Sequence, residues 1–223
     1  MEKPFTRGDI ETNPCRVLSR GRWGNADLYF YRHQDTEWVI KDFSPCPPLV
    51  RESWGRFLVR REYRSLDRLR GIRGVPADMF ILDVHALCYR YIRGFTLREI
   101  ATDLLDPDFF FRLEVLVQQM HERHMVHLDL RNSRNVLMDE NGRPALLDFQ
   151  SCICLDRVPK ELHPLLKDVD ISGVYKLWQR KQPHTLDSRR RARLAAVNRR
   201  RRFWVFHGYP PGMRTSPRRS DGK

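Results

Sequence analysis

The stretch HLDLRNSRNVLMDENGRPALLDFQ, residues 127–150, sets Asp129, Asn132, Asn135 and Asp148 around a short apolar strand. Carboxylate and amide oxygens are hard ligands, suited to a hard divalent cation. An aspartate on a separate loop could take or orient the proton of a hydroxyl. Either aspartate alone reads more simply as a loop residue capping a turn. Three histidines at three-residue steps, His121, His124 and His127, raise a second possibility, a metal face. Three-residue steps drift around a helix, His127 falls in the expected loop, and zinc would need a fourth ligand, so this reading is weak.

The segments that must position these residues can be read from periodicity. RVLSRGRWGNADLYFYR and EWVIKDF read as three strands, the last ending on Lys41. After a proline-containing connection, RESWGRFLVRREYRSLDRLRG reads as a helix sharing Leu58, Tyr63, Leu66 and Leu69 on one face, with Gly71 as its stop. ADMFILDVHALCYRYI gives two more strands. GFTLREIA and PDFFFRLEVLVQQMHERH give helices, PALLD a strand, and DVDISGVYKLW another helix. The aromatic run FFFRLEVLVQQM has the spacing of a buried helix and reads as core. Strands followed mostly by helices indicate an α+β chain with two lobes.

Composition limits the alternatives. The 223 residues can bury a substantial core, and no apolar run is long enough to span a bilayer. The first fifteen residues lack the apolar stretch of a signal peptide, which points to the cytoplasm. Five cysteines with no C-x-x-C pair argue against a disulfide framework, and Cys152 and Cys154 read as packing residues. The formal charge of +13 is concentrated: residues 179–223 hold fourteen Lys+Arg against two Asp+Glu, so the body is nearly neutral. The charge therefore speaks of a partner for the tail, not of the chemistry in the body.

In this order, the segments between about residues 16 and 178 resemble the protein-kinase-like fold. SRGRWGNA is similar to a glycine-rich phosphate loop in which Ser19 replaces the first glycine and Gly21 and Gly24 keep the second and third. WVIK matches the strand whose lysine pairs with the nucleotide phosphates, and Glu62 in RREYRSL matches its helical partner. LCYRYIRGFTL resembles the linker between lobes, where main chain around Arg90 to Ile92 would bond an adenine edge. HLDLR resembles the catalytic loop, with Asp129 on the substrate hydroxyl and Arg131 steadying the γ-phosphate. Asn135, which begins NVL, and Asp148, which begins DFQ, would hold Mg²⁺ beside ATP. Asp170 resembles the helix aspartate that braces the catalytic loop, although an N-cap would explain it as well.

The departures are specific. Five residues separate Asp129 from Asn135 where the motif has four, which makes Asn132 a rival ligand. Leu128 replaces the arginine that reads activation-loop phosphorylation, Gln150 replaces the glycine of D-F-G, and no A-P-E follows. Among kinase-like proteins the compact form resembles lipopolysaccharide core sugar kinases and RIO-like proteins. That resemblance implies an ATP- and Mg²⁺-dependent kinase acting on a sugar hydroxyl of the lipopolysaccharide inner core. The alternatives are a RIO-like Ser/Thr protein kinase and a silent kinase-like scaffold. The expected layout is an N-terminal extension (1–15), an N-lobe (16–90), a reduced C-lobe (91–182) and an Arg-rich tail (183–223). Within the tail, residues 189–206 interleave arginine with apolar residues. They fit an interfacial helix on the anionic inner face of a membrane first, a plain solvated tail second and a nucleic-acid arm third.

Overall fold

A computed structural model describes residues 3–13, 15–21 and 24–201. Its N-terminal lobe is a five-stranded antiparallel sheet in the order β1-β2-β3-β5-β4. The strands are β1 (Arg16–Ser19), β2 (Asp27–His33), β3 (Thr36–Asp42), β4 (Phe80–Asp83) and β5 (Ala86–Arg90). Lys41, near the end of β3, pairs with Leu28 on one side and Leu87 on the other. The central strands alternate between two apolar layers. Val39, Leu87 and Tyr89 face the main core, whereas Trp38, Ile40, Ala86 and Cys88 face a second cluster on the opposite side.

That second layer is closed by the N-terminal extension. After a single short helix, α1 (Arg7–Thr12), the chain enters β1. Phe5 is buried and meets Tyr31, Phe80 and Trp38 edge-on, at 4.8, 5.0 and 5.6 Å. Lys3 donates to the Leu82 carbonyl at 2.8 Å, and Arg7 bridges Asp42 and Asp83. Burying a phenylalanine contributes about 1.5–3 kcal/mol, so the extension is part of the fold.

Between β3 and β4 the chain is helical. A first turn, α2 (Pro48–Val50), passes through a π turn (Arg51–Gly55) into α3 (Arg56–Arg68). Leu58, Leu66 and Leu69 enter the core and Tyr63 packs against it, while Gly71 takes the left-handed conformation (φ +85°) that ends the segment. The C-terminal lobe contains α4 (Phe109–Glu122), α5 (His163–Lys181) and α6 (Ser188–Arg201). It also holds a three-stranded sheet ordered β6-β8-β9, made of β6 (Gly94–Thr96), β8 (Val136–Asp139) and β9 (Pro144–Leu146). A two-stranded pair joins β7 (Met125–Val126) to β10 (Ile153–Cys154).

Two expectations need correction. GFTLREIA is not a helix: Gly94–Thr96 pairs with β8 and only one turn follows. Thr96 and Glu99 do form a capping-type contact, from Thr96 N and Oγ1 to Glu99 Oε2 at 3.0 and 2.8 Å. Strand pairing has taken the preceding residues. The Arg-rich segment also begins inside the fold, since α6 packs on α5 and buries Leu186, Leu194 and Val197. Arg190 pairs with Glu114 at 2.7 Å and lies over the rings of Phe111 and Trp178, and Arg193 pairs with Asp168 at 2.7 Å. The apolar side of residues 188–201 thus faces protein, not lipid. Residues 202–206 of the expected interfacial helix lie outside the described residues.

Candidate active site

The site forms where the end of β3, the inner face of α3 and the loops of the C-terminal lobe converge. Lys41 Nζ lies 2.7 Å from Glu62 Oε2 and 2.8 Å from Asp148 Oδ1. Glu62 also accepts the Phe149 main-chain N–H through Oε1 at 3.2 Å. One buried carboxylate on α3 therefore holds both the lysine and the residue that follows Asp148. Burial alone would push the Lys41 ammonium down, but Asp148 and Glu62 outweigh it and hold it well above the ordinary lysine range. Burial pushes the Glu62 carboxyl up, with Lys41 offsetting part of the effect. Asp148 is also penalised by burial, yet the Lys41 charge brings it below its ordinary value. Its side chain keeps 37% of its surface exposed, so this carboxylate is the open member of the trio.

Asp129 and Asn135 form a second polar pair. Asn135 Nδ2 donates to Asp129 Oδ2 at 2.8 Å and to the Asp129 carbonyl at 3.1 Å. The extra loop residue is absorbed by a turn in which Arg134 N donates to Asn132 Oδ1 at 3.2 Å. The two rival amides touch, Asn132 Nδ2 donating to Asn135 Oδ1 at 3.3 Å. Asn135 is the buried one, and its carbonyl accepts from Leu147 N at 2.9 Å, one residue before Asp148. That link fixes Asn135 beside the Asp148 backbone and favours it over Asn132. Asp129 itself is shifted upward, mainly by burial, against the lowering effects of His127 and Asn135.

Asp170 braces this loop from the middle of α5, so it is not an N-cap. It is fully buried and accepts the N–H groups of His127 and Leu128, each at 2.7 Å, and Nε2 of His121 at 3.1 Å. Leu128 is held at φ +67°, a conformation that costs a non-glycine residue about 1–2 kcal/mol. The Asp170 contact offsets that cost. The three histidines do not converge: His121 meets Asp170, His124 meets Asp156, and His127 Nε2 meets the Leu147 carbonyl.

Other expected residues are placed differently. Arg131 donates to Ser172 Oγ (3.0 Å) and Asn198 Oδ1 (2.8 Å), on α5 and α6. The Gly21 N–H donates to Asp27 Oδ1 at 2.7 Å and is not offered to a phosphate. A Cβ on Gly21 would fall 1.9 Å from the Asn25 carbonyl oxygen, so close packing explains this glycine. Gly24 (φ +91°) packs against Val50. In the linker, Arg90 N donates to Ala77 O and Tyr91 N to Glu37 O, each at 2.9 Å, leaving Ile92 as the N–H that could meet a base edge. Two contributors escaped the sequence reading. Tyr89 is buried beside Lys41, Glu62 and Asp148, where burial pushes its phenol up. Arg61 donates to the Cys152 carbonyl at 3.2 and 3.0 Å and to the Ser151 carbonyl at 3.2 Å. The i, i+2 alternation along β5 pointed toward Tyr89; nothing in the spacing pointed to Arg61.

Among the described residues, no group of three or more His, Cys, Asp or Glu side chains could hold a metal unaided. One open carboxylate and one amide suit Mg²⁺ only if phosphate oxygens complete its shell, which is how that ion is usually held in nucleotide sites.

Against solved structures, the chain is similar to the Rio2 kinase from Chaetomium thermophilum, with a TM-score of 0.57 and 15% identity over 84% of this chain and 73% of that one. The fold is protein-kinase-like. A second structure of Rio2 kinase from that organism, a complex with ADP/Mg²⁺ and phosphoaspartate, gives a TM-score of 0.55 and 15% identity over 84% and 71%. No protein-family profile and no curated protein matches the chain.

Proposed function

We propose that this protein is an ATP- and Mg²⁺-dependent phosphotransferase acting on an alcohol. The observation that carries this reading is Lys41 held between Glu62 and Asp148, with the Asp129–Asn135 pair tied to the residue before Asp148. In phosphoryl transfer the protein chiefly positions groups and neutralises charge. Lys41 anchors phosphates and Glu62 orients it. Asp148 and Asn135 would supply oxygen ligands to Mg²⁺, whose charge would neutralise the phosphates. Asp129 receives or orients the acceptor hydroxyl, and the linker at Ile92 meets the base.

For the acceptor, we favour a sugar hydroxyl of the lipopolysaccharide inner core. Only short 3₁₀ turns and a two-residue strand separate Asp148 from α5, which leaves little platform for an extended peptide. The similarity to Rio2 kinase structures favours a second reading, a Ser/Thr protein kinase. The deciding experiment incubates the full chain with γ-labelled ATP, Mg²⁺ and separated glycolipid and protein fractions of a Gram-negative extract. Asp148→Asn serves as control. Label in the glycolipid, absent with the variant, is the expected result; label only in protein selects the second reading. Equal turnover by Asp148→Asn would overturn the assignment of the site.

A further inference from the structure

The helical segment beside the glycine-bearing loop carries an unpartnered aromatic strip. Leu49, Trp54 and Phe57 are 85, 54 and 50% exposed. In an uninterrupted α-helix, Leu49 and Trp54 would point in different directions, since five residues advance well past one turn. A π turn, wider than an α turn, spans Arg51–Gly55 between them and reduces that difference. Trp54 and Phe57 then stack at 5.4 Å and 29°. The stacked pair, with the exposed Leu49 just before it in the chain, makes an apolar ridge on a segment whose opposite side buries Leu58, Val59, Glu62 and Leu66.

The surroundings of the ridge are basic. Arg60 and Arg64 are exposed and, one turn apart, share the arc of α3 that carries Phe57. Arg61 lies 5.9 Å from the Phe57 ring. Of the nearby acids, Glu62 is buried on Lys41, and Glu52 is met by Arg51 and Arg56. The location is also specific. Val50 packs on Gly24, and Cys46 Sγ donates to the Asn25 carbonyl at 3.4 Å, so the ridge adjoins the loop at the mouth of the cleft.

We infer that this outer face of α2 and α3 docks on an anionic lipid bilayer. Amphipathic helices that lie in a membrane interface combine Trp, Phe and Leu with arginines in this way. No helix among the described residues is long and apolar enough to cross a membrane, so attachment through them has to be of this interfacial kind. Single-stranded nucleic acid is a poorer fit. It needs open ring faces for base stacking, whereas Trp54 and Phe57 stack on each other. The purpose of the docking, bringing a lipid-borne hydroxyl to the cleft, rests on the glycolipid reading above. The binding itself does not, and it is measured without nucleotide.

The test is co-sedimentation of the full chain with phosphatidylcholine vesicles, with and without phosphatidylglycerol. Three variants are compared, each checked by its thermal melt: Leu49→Ser/Trp54→Ser/Phe57→Ser, Arg60→Glu/Arg64→Glu, and Arg199→Glu/Arg200→Glu on α6. The wild type should bind the anionic vesicles preferentially. The first two variants should each lose binding by at least about tenfold, and the third should keep most of it. If the triple variant fails to fold, the charge reversal at the exposed Arg60 and Arg64 decides alone. Wild-type binding by the first two variants, loss confined to the α6 variant, or capture of the wild type by single-stranded RNA but not by anionic vesicles would overturn the inference.

Discussion

Asp170→Asn is the sharpest probe of how the catalytic loop is held. The carboxylate accepts from Leu128 N through Oδ1, and from His127 N and His121 Nε2 through Oδ2, with no solvent access. An asparagine can keep its oxygen toward Leu128 but must then turn an NH₂ group toward the His127 N–H. A buried donor left without an acceptor costs about 1–3 kcal/mol, and losing charge assistance at Leu128 adds about 1. His121 can turn a ring lone pair to the new amide, so its contact need not be lost. The expected loss is therefore about 2–4 kcal/mol, a large share of the roughly 5–15 kcal/mol that stabilises a folded domain. The weaker, uncharged contact at Leu128 would also offset less of the cost of its left-handed backbone. Urea unfolding should show the loss with an unchanged slope, and phosphotransfer under folding conditions should fall because Asp129 follows Leu128 directly. A destabilisation below about 1 kcal/mol with unchanged turnover would refute the argument that Asp170 sets the loop.

Three further outcomes follow from the same geometry. Arg61→Ala removes three hydrogen bonds to the Ser151 and Cys152 carbonyls and should lower kcat about tenfold, which corresponds to 1.4 kcal/mol. Arg61→Lys should rescue part of this, and an unchanged kcat in the alanine variant would remove Arg61 from the positioning role. The Asp129 carboxyl is raised by burial and in the proposed reaction works as the carboxylate, so kcat/KM should fall with decreasing pH through a value above the ordinary aspartate pKa of about 3.9. An acid limb at or below that value would contradict the assignment. Leu194→Ser on α6 should destabilise the protein by about 2–4 kcal/mol, because it opens a cavity and buries a hydroxyl. A melt identical to the wild type would mean that α6 is not part of the core.

The elements that carry the site were legible because each ends a strongly patterned segment. Lys41 closes an apolar strand, Asp148 follows another, and Glu62 sits on the buried face of a helix whose leucines recur at helical spacing. Hydrophobic periodicity gave the frame, and the roles expected of the polar residues at its ends came from the kinase-like resemblance. What was missed lacked such a pattern. Phe5 is a single aromatic in an otherwise polar extension, and its value lies in Tyr31, Trp38 and Phe80, which only the folded sheet brings to it. Leu194 and Val197 were hidden among arginines, so a core helix read as a charged tail. The Gly21 spacing matched a phosphate loop, yet its N–H turns to Asp27, a contact between residues six apart that spacing alone cannot reveal.

The departures from the kinase pattern and the contacts that replace them fit one argument. A phosphate-operated switch needs a cationic receptor beside the catalytic loop. Here position 128 is a leucine, and Arg131 is engaged by Ser172 and Asn198. The work of such a switch, keeping α3 inward so that Glu62 reaches Lys41, is done by fixed contacts instead. Phe149 N donates to Glu62, and Arg61 holds the two carbonyls just beyond it. Both contacts use main-chain atoms of the segment that follows Asp148, so they depend on its path and not on an added charge. The glycine of D-F-G is dispensable under that arrangement, because Phe149–Ser151 forms a 3₁₀ turn anchored on Glu62 and Arg61. The Lys41–Glu62 contact is thus assembled by folding itself.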